Sequence, residues 1–294
     1  MTKLSPLVFF GTESFSAQIL QALIDSDFAI EAVITKPDLV AGRGRKTKPS
    51  DVKSLAQKHN FTVFEVKNKD DIRSAVQKTS KQTGVLASFG KIIPTDVIDT
   101  FTNGIINVHP SLLPKYRGAS PIESAILNGD QKTGVSIMLL ATEVDAGDVY
   151  AQIELTLNGQ ETAAELYDKL AKLGGGFLID ILNKIEKNHL QATPQNHSQA
   201  TFCQMITKTD ADLDPTKDSA EKLERKIRAY QTWPKAHLLI DNKSVIVLSA
   251  TVNQTATSPI NFKCANGKYL NIETLLSPNG KATSAIQYYN NFLR

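Results

Sequence analysis

From Leu7 to His109 the chain alternates short apolar runs with amphipathic stretches, and this alternation limits the fold more than any single motif does. Leu7–Phe10, Phe28–Thr35, Thr62–Val66, Gly84–Phe89 and Gly104–His109 read as strands. Helices are expected over Ser14–Ile24, Val52–His59 and Asp70–Lys78, each falling between two of those runs. Parallel pairing needs a long crossover between strands, and a helix is the usual one. The expectation is therefore an α/β unit with a mostly parallel sheet and helices on both faces. Gly11 makes the first turn, but the second and third glycines of a dinucleotide-binding turn are missing.

The last of these strands carries polar groups that would fill a core poorly. Side chains alternate along a strand, so Asn107 and His109 project to one side and Val108 to the other. Pro110 cannot donate to a ladder and should end the strand. Open α/β sheets bind ligands in the crevice beyond their carboxyl ends, which is where this pair would lie. After the loop PKYRGA, Ser120-Pro121-Ile122-Glu123 places an N-cap serine, a proline and a glutamate at the spacing that starts a helix. Thr162-Ala163-Ala164-Glu165 is a second capping box, opening a helix that should run to about Lys187.

Beyond that helix the pattern changes. His189 to Gln204 is polar and aperiodic, and reads as linker. Ser219–Tyr230 looks helical. Short strand-like runs follow at Ala236–Ile240, Val245–Leu248, Ile260–Lys263 and Tyr269–Ile272, with turn signals at Asp241-Asn242, Asn266-Gly267 and Asn279-Gly280. These predict a small β-barrel. The expected organisation is a domain over 1–188, a linker over 189–206 and a C-terminal domain over 207–294.

From Lys208 onward twelve Lys/Arg face eight Asp/Glu, so the formal net charge of +3 belongs to the C-terminal third. That permits a nucleic-acid partner. Cys203 and Cys264 are isolated, so no metal site is expected, and reduced thiols predict a cytoplasmic protein. No apolar run approaches the ~20 residues of a membrane span.

Asn107, His109 and a carboxylate converging on a crevice suit proton transfer and stabilisation of a developing oxyanion. Gly11-Thr12-Glu13-Ser14-Phe15 lacks the G-x-S-x-G pattern, and no lysine sits in a phosphate-loop pattern. Transfer of a small group between two bound partners remains. Taken singly, His109 also fits a satisfied strand-end histidine, Asp145 or its neighbour Asp148 a turn residue, and Arg43, Arg45, Lys46 and Lys48 a solvated loop.

INVHPSLLPKYRGASPI, followed by VDAGD at Asp145, closely resembles the folate-dependent formyltransferases. FFGTESFSAQILQAL, KPDLVAGRGRKTKPSDVK, ASFGKIIP, ITKTDADLD, KIRAYQTWP and the closing SPNGKATSAIQYYNNFL extend the likeness over nearly the whole chain. Within that family it is strongest to the members that formylate methionyl initiator tRNA. The resemblance implies a Rossmann-like catalytic domain and an OB-like C-terminal domain. It implies 10-formyltetrahydrofolate as formyl donor, initiator methionyl-tRNA as acceptor, and Asn107, His109 and Asp145 as the catalytic set. Phe89, Gly90, Ile92, Ser111, Leu112, Leu113 and Pro114 would then line the folate pocket. Arg43, Arg45, Lys46 and Lys48 would meet tRNA from a loop over Lys36–Pro49, poorly ordered until tRNA binds. A monomer is expected. Alternatives on the same fold are formylation of an amino sugar nucleotide or another small amine, release of formate to water, and RNA binding without catalysis.

Overall fold

The computed structural model describes residues 6–41, 46–187 and 189–293. Seven strands form one sheet in the order Val149–Thr156, Lys132–Leu139, Ile105–His109, Thr83–Ala87, Leu7–Gly11, Ile30–Thr35, Thr62–Glu65. The five runs expected from the sequence make its parallel part. Leu7–Gly11 lies in the interior of the sheet, between Thr83–Ala87 and Ile30–Thr35, and is buried along its whole length, which explains why LVFFG has no polar side chain. Helices Ser14–Asp25, Asp51–Lys58 and Lys69–Val76 supply the crossovers.

One face of this sheet packs Val8, Phe10, Ile34 and Ile105 against Ile72 and Val76 of the third of those helices. On the face where Val108 projects lies helix Ala163–Glu186, opened by the expected Thr162–Glu165 capping box. A Cβ at Gly174 would sit 3.2 Å from Val108 Cγ1, so this helix approaches closely because its sequence is Gly-Gly-Gly there.

Two strands have no counterpart in the sequence reading. Lys132–Leu139 pairs antiparallel with Ile105–His109, His109 standing opposite Ser136, and Val149–Thr156 forms the edge. Leu139 N–H donates to Asp148 O at 2.8 Å and Leu157 N–H to Gln131 O at 2.9 Å, closing a hairpin. No Asn-Gly or Pro-Gly turn announces it. Its connection is the irregular stretch that contains VDAGD.

The Lys36–Pro49 segment also differs from the expected long loop. Leu39–Ala41 pairs antiparallel with Lys46–Lys48, Leu39 opposite Lys48, and makes a short hairpin. Lys53 ties its base, with Nζ 2.7 Å from Asp38 Oδ1 and 2.6 Å from Glu65 Oε1. Hydrogen bonds to Asp38 and then Glu65 push the Lys53 pKa up.

By compactness the chain forms two units: Met1–Gly118 with Gly134–Leu155 and Tyr167–Phe202, and Ala119–Thr133 with Thr156–Leu166 and Cys203–Arg294. In the second, strands His237–Ile240, Lys243–Asn253, Tyr269–Leu276 and Asn261–Lys263 form an antiparallel sheet, with Ala282–Ser284 on the same edge of Tyr269–Leu276 as Asn261–Lys263. Register shifts beside Ser249 bend it into a half-barrel. Leu238, Val247, Leu270, Ile272 and Leu275 fill its core with Leu223 and Ile227 of helix Ala220–Ala229. Arg225 Nε of that helix donates to Leu127 O at 2.8 Å, at the end of helix Pro121–Asn128. The latter helix starts where Ser-Pro-Ile-Glu predicts, but without the side-chain cap. Ser120 Oγ instead donates to Gln204 O at 2.6 Å.

Candidate active site

Strand Ile105–His109 delivers Asn107 and His109 to one side of the sheet's carboxyl end, each only 5% exposed. Burying two polar side chains is unfavourable unless they find partners. His109 has an acceptor facing each ring nitrogen: Tyr116 O is 3.0 Å from Nε2, and Asp145 Oδ2 is 3.7 Å from Nδ1. Asn107 Nδ2 donates to Asp145 Oδ1 over a long 3.5 Å. Asp145 therefore lies between the other two, one oxygen toward each. Gly118 N–H donates to its Oδ2 at 2.8 Å.

Asp145 reaches this place from a strained backbone. Its φ is +50°, in the left-handed region that costs a non-glycine residue roughly 1–2 kcal/mol. Gly147 lets the same loop pass against the preceding strand, since a Cβ there would lie 2.0 Å from Leu139 O. Strain at a residue whose side chain meets a buried Asn and His is typical of a site held in one geometry. Asp148, the other acid of VDAGD, places its backbone carbonyl in the hairpin ladder to Leu139. The three side chains can stabilise a negatively charged oxygen and accept a proton within one small volume.

The chain matches the formyl transferase family over residues 6–182 and the formyl transferase C-terminal domain over residues 205–293. It belongs to the formyl transferase family. The methionyl-tRNA formyltransferase of Sulfurihydrogenibium sp. is 41% identical over 249 residues, covering 84% of this chain and 80% of that one. The enzyme of the same name from Pseudoalteromonas translucida is 36% identical over 311 residues, covering 100% and 94%. Among solved structures, an N-formyltransferase from Helicobacter canadensis, in complex with folinic acid and dTDP-3-aminofucose, superimposes with a TM-score of 0.69. Its identity is 18%, and the match covers 90% of this chain and 98% of that one. HypX from Aquifex aeolicus, in complex with tetrahydrofolic acid, gives a TM-score of 0.71 at 16% identity, covering 99% of this chain and 48% of that one. At those identities the structural likeness speaks for the fold.

The other residues expected to serve this formyl transferase fall into three groups. Ser111 is fully buried and internally bonded. Its Oγ donates to Lys115 O and its carbonyl accepts from Ser136 Oγ, both at 2.6 Å. Leu113 N–H donates to the same Ser136 Oγ at 3.0 Å, and Gln152 Nε2 donates to Leu113 O at 2.8 Å. Leu112 and Pro114 are half-buried, and Leu113–Pro114 is a cis peptide. The SLLP segment is hydrogen-bonded to Ser136 and Gln152, which motif reading missed because they lie on the unforeseen hairpin.

Phe89 goes elsewhere. Its ring is 1% exposed and packs edge-on against Phe10 at 5.6 Å, so it belongs to the core. Gly90 and Ile92 are exposed beyond it, Ile92 by 68%. Of the basic residues, Lys48 is exposed on the short hairpin. Lys46 is described in its backbone alone, and Arg43 and Arg45 lie outside the described residues. Tyr116 O and Gly118 N–H also went unseen in the sequence, because backbone groups leave no trace in residue identity.

Proposed function

We propose that this formyl transferase moves a formyl group from 10-formyltetrahydrofolate to the free amine of methionyl initiator tRNA, acting in the cytoplasm as a monomer. The observation that carries the chemistry is Asp145 placed between Asn107 and His109 at the sheet's carboxyl end. The choice of acceptor rests on relatives of that name aligned over both family regions.

As the methionyl nitrogen attacks the formyl carbon, negative charge grows on the formyl oxygen. Asn107 offers an amide N–H to that oxygen. His109 offers Nε2–H, for which the formyl oxygen competes with Tyr116 O. Donors so placed are worth roughly 10²–10³ in rate each. Asp145 orients the imidazole and receives the proton that the amine loses. A carbon–nitrogen bond forms to the methionyl amine, the bond from the formyl carbon to the folate nitrogen breaks, and one proton returns to that nitrogen.

The folate pocket is read along the backbone of Phe89, along Gly90 and Ile92, and along Ser111, Leu112, Leu113 and Pro114. Arg43, Arg45, Lys46 and Lys48 are read as contacts for the tRNA acceptor end, and residues 207–294 as the tRNA-binding domain following a catalytic domain over 1–188. The test is incubation of the protein with 10-formyltetrahydrofolate and charged initiator tRNA, scored for formylmethionine. Formylation of an amino sugar nucleotide in preference to the tRNA would overturn the choice of acceptor. Formate release at the same rate without any amine would make the protein a hydrolase.

A further inference from the structure

The stretch 193–201, polar and without periodicity, is hydrogen-bonded to the segments that hold the site. Thr193 and Val149 exchange both backbone hydrogen bonds at 2.9 Å, which lays this stretch beside the end of the Asp145 loop. Further on, Arg117 N–H donates to Thr201 O at 2.9 Å and Tyr116 N–H to Thr201 Oγ1 at 2.9 Å. Tyr116 is the residue whose carbonyl meets His109. The stretch therefore touches the supports of both His109 and Asp145.

Between those anchor points Gln195 turns inward and is 8% exposed. Both of its hydrogen-bonding ends are used. Nε2 donates to Asp145 O at 2.9 Å and to Gly147 O at 2.7 Å. Oε1 accepts from Arg117 Nε at 3.1 Å and from Arg117 Nη2 at 2.7 Å. Arg117 is itself 3% exposed, and its guanidinium also faces His197 Nδ1 at 3.3 Å from Nη2. The ring of contacts then closes, because Gly118, the next residue after Arg117, donates its N–H to Asp145 Oδ2. One dipeptide thus grips Asp145 twice, directly at the carboxylate and through Gln195 at the backbone.

We propose that Gln195 is a positioning residue that sets the place of the Asp145 carboxylate against Asn107 and His109. Asp145 sits at φ +50°, and a backbone in that region relaxes unless its neighbours hold it. The carboxylate has little slack. It lies 3.5 Å from Asn107 Nδ2 and 3.7 Å from His109 Nδ1, so a small shift of the loop breaks one contact to improve the other. Gln195 removes that freedom by clamping two carbonyls of the loop to a buried guanidinium. It touches neither Asn107 nor His109, and acts only through Asp145. The inference rests on Asp145 being catalytic.

The test compares Gln195→Leu, Asp145→Asn and the double variant in the full chain, using 10-formyltetrahydrofolate and charged initiator tRNA. Misplacing a catalytic group by about 1 Å costs on the order of 10²-fold, so Gln195→Leu should lower kcat by roughly 10- to 100-fold while both KM values stay within about twofold. In the Asp145→Asn background the same substitution should leave the residual kcat unchanged within about twofold, because the group it positions is gone. Gln195→Glu keeps the acceptor for Arg117 and loses both donors, and should reproduce the kcat loss if the leucine variant folds poorly. A wild-type kcat in Gln195→Leu, with Asp145→Asn inactive, overturns the positioning role and leaves the site intact. An equal fold-loss in both backgrounds, or failure of both Gln195 variants to fold, assigns Gln195 to the scaffold and overturns it as well. Asp145→Asn with the wild-type rate overturns the reading of the site, and the role of Gln195 falls with it.

Discussion

Two buried asparagines, one in each compact unit, are used in opposite ways. Asn271 in the half-barrel is 1% exposed, accepts from Thr257 N–H at 2.7 Å and Ser258 N–H at 3.2 Å, and donates to Thr255 O at 3.2 Å. It staples an irregular crossing of the chain onto a strand, and its capacity is spent on the fold. Asn107 is as well buried, yet its side chain makes one long hydrogen bond, to Asp145. An amide can make about four hydrogen bonds, and a buried one that forgoes most of them costs stability. The difference marks which amide serves the scaffold and which is kept ready for a ligand.

The largest expected effect falls on the second class. His109→Ala should lower kcat by about 10²–10³ and leave folate affinity within a few-fold, measured by steady-state kinetics and by a binding titration of tetrahydrofolate. Loss of folding together with folate binding would instead place His109 with Asn271 as a structural residue, and the contrast would break. Asn271→Ala should destabilise by about 1–3 kcal/mol in denaturant unfolding, because it strands two backbone N–H groups, while kcat per folded molecule is unchanged. A fall in kcat without a fall in stability would break the contrast from the other side.

Charged residues sharpen it. Arg43→Ala combined with Lys46→Ala should raise KM for charged tRNA on the order of tenfold and leave the folate Kd alone, with tRNA affinity falling as salt is added. Unchanged kinetics and salt-independent binding would reduce these residues to a solvated surface. The smallest effect belongs to Asp214, whose pKa is held down at about 2 by the Thr216 hydroxyl first and then by Lys217. A carboxylate with a depressed folded pKa contributes stability that is present above its unfolded value and lost as pH falls toward 2. Thr216→Ala should move the Asp214 titration upward in carboxyl NMR, with no change in kcat. An unmoved titration would assign the shift to Lys217.

Much of this was legible in the sequence where the signal is local. The parallel strands declared themselves as apolar runs between amphipathic ones, and Asn107 and His109 stood out because polar groups at a strand's end have few other uses. VDAGD could be tied to them only through resemblance, since nothing within its five residues fixes its partners. The hairpin of Lys132–Leu139 and Val149–Thr156 went unseen because its turn is the site loop. Phe89 was assigned to the pocket through the resemblance carried by ASFGKIIP, and its ring lies in the core beside Phe10.

By itself the sequence determined the alternation that builds the parallel sheet, the strand end that carries Asn107 and His109, and the family, because periodicity and motif order are properties of the linear chain. Tertiary structure alone decided how those residues are held. Asp145 is kept in a left-handed backbone by Gly118 N–H and by Gln195, from positions separated from it by 27 and 50 residues along the chain. Hydrogen bonds over such distances depend on where the backbone passes, and a glutamine in a polar, aperiodic stretch looks the same whether it faces water or a buried guanidinium. Only folding brings Arg117 to Gln195, and only then does the stretch acquire its role.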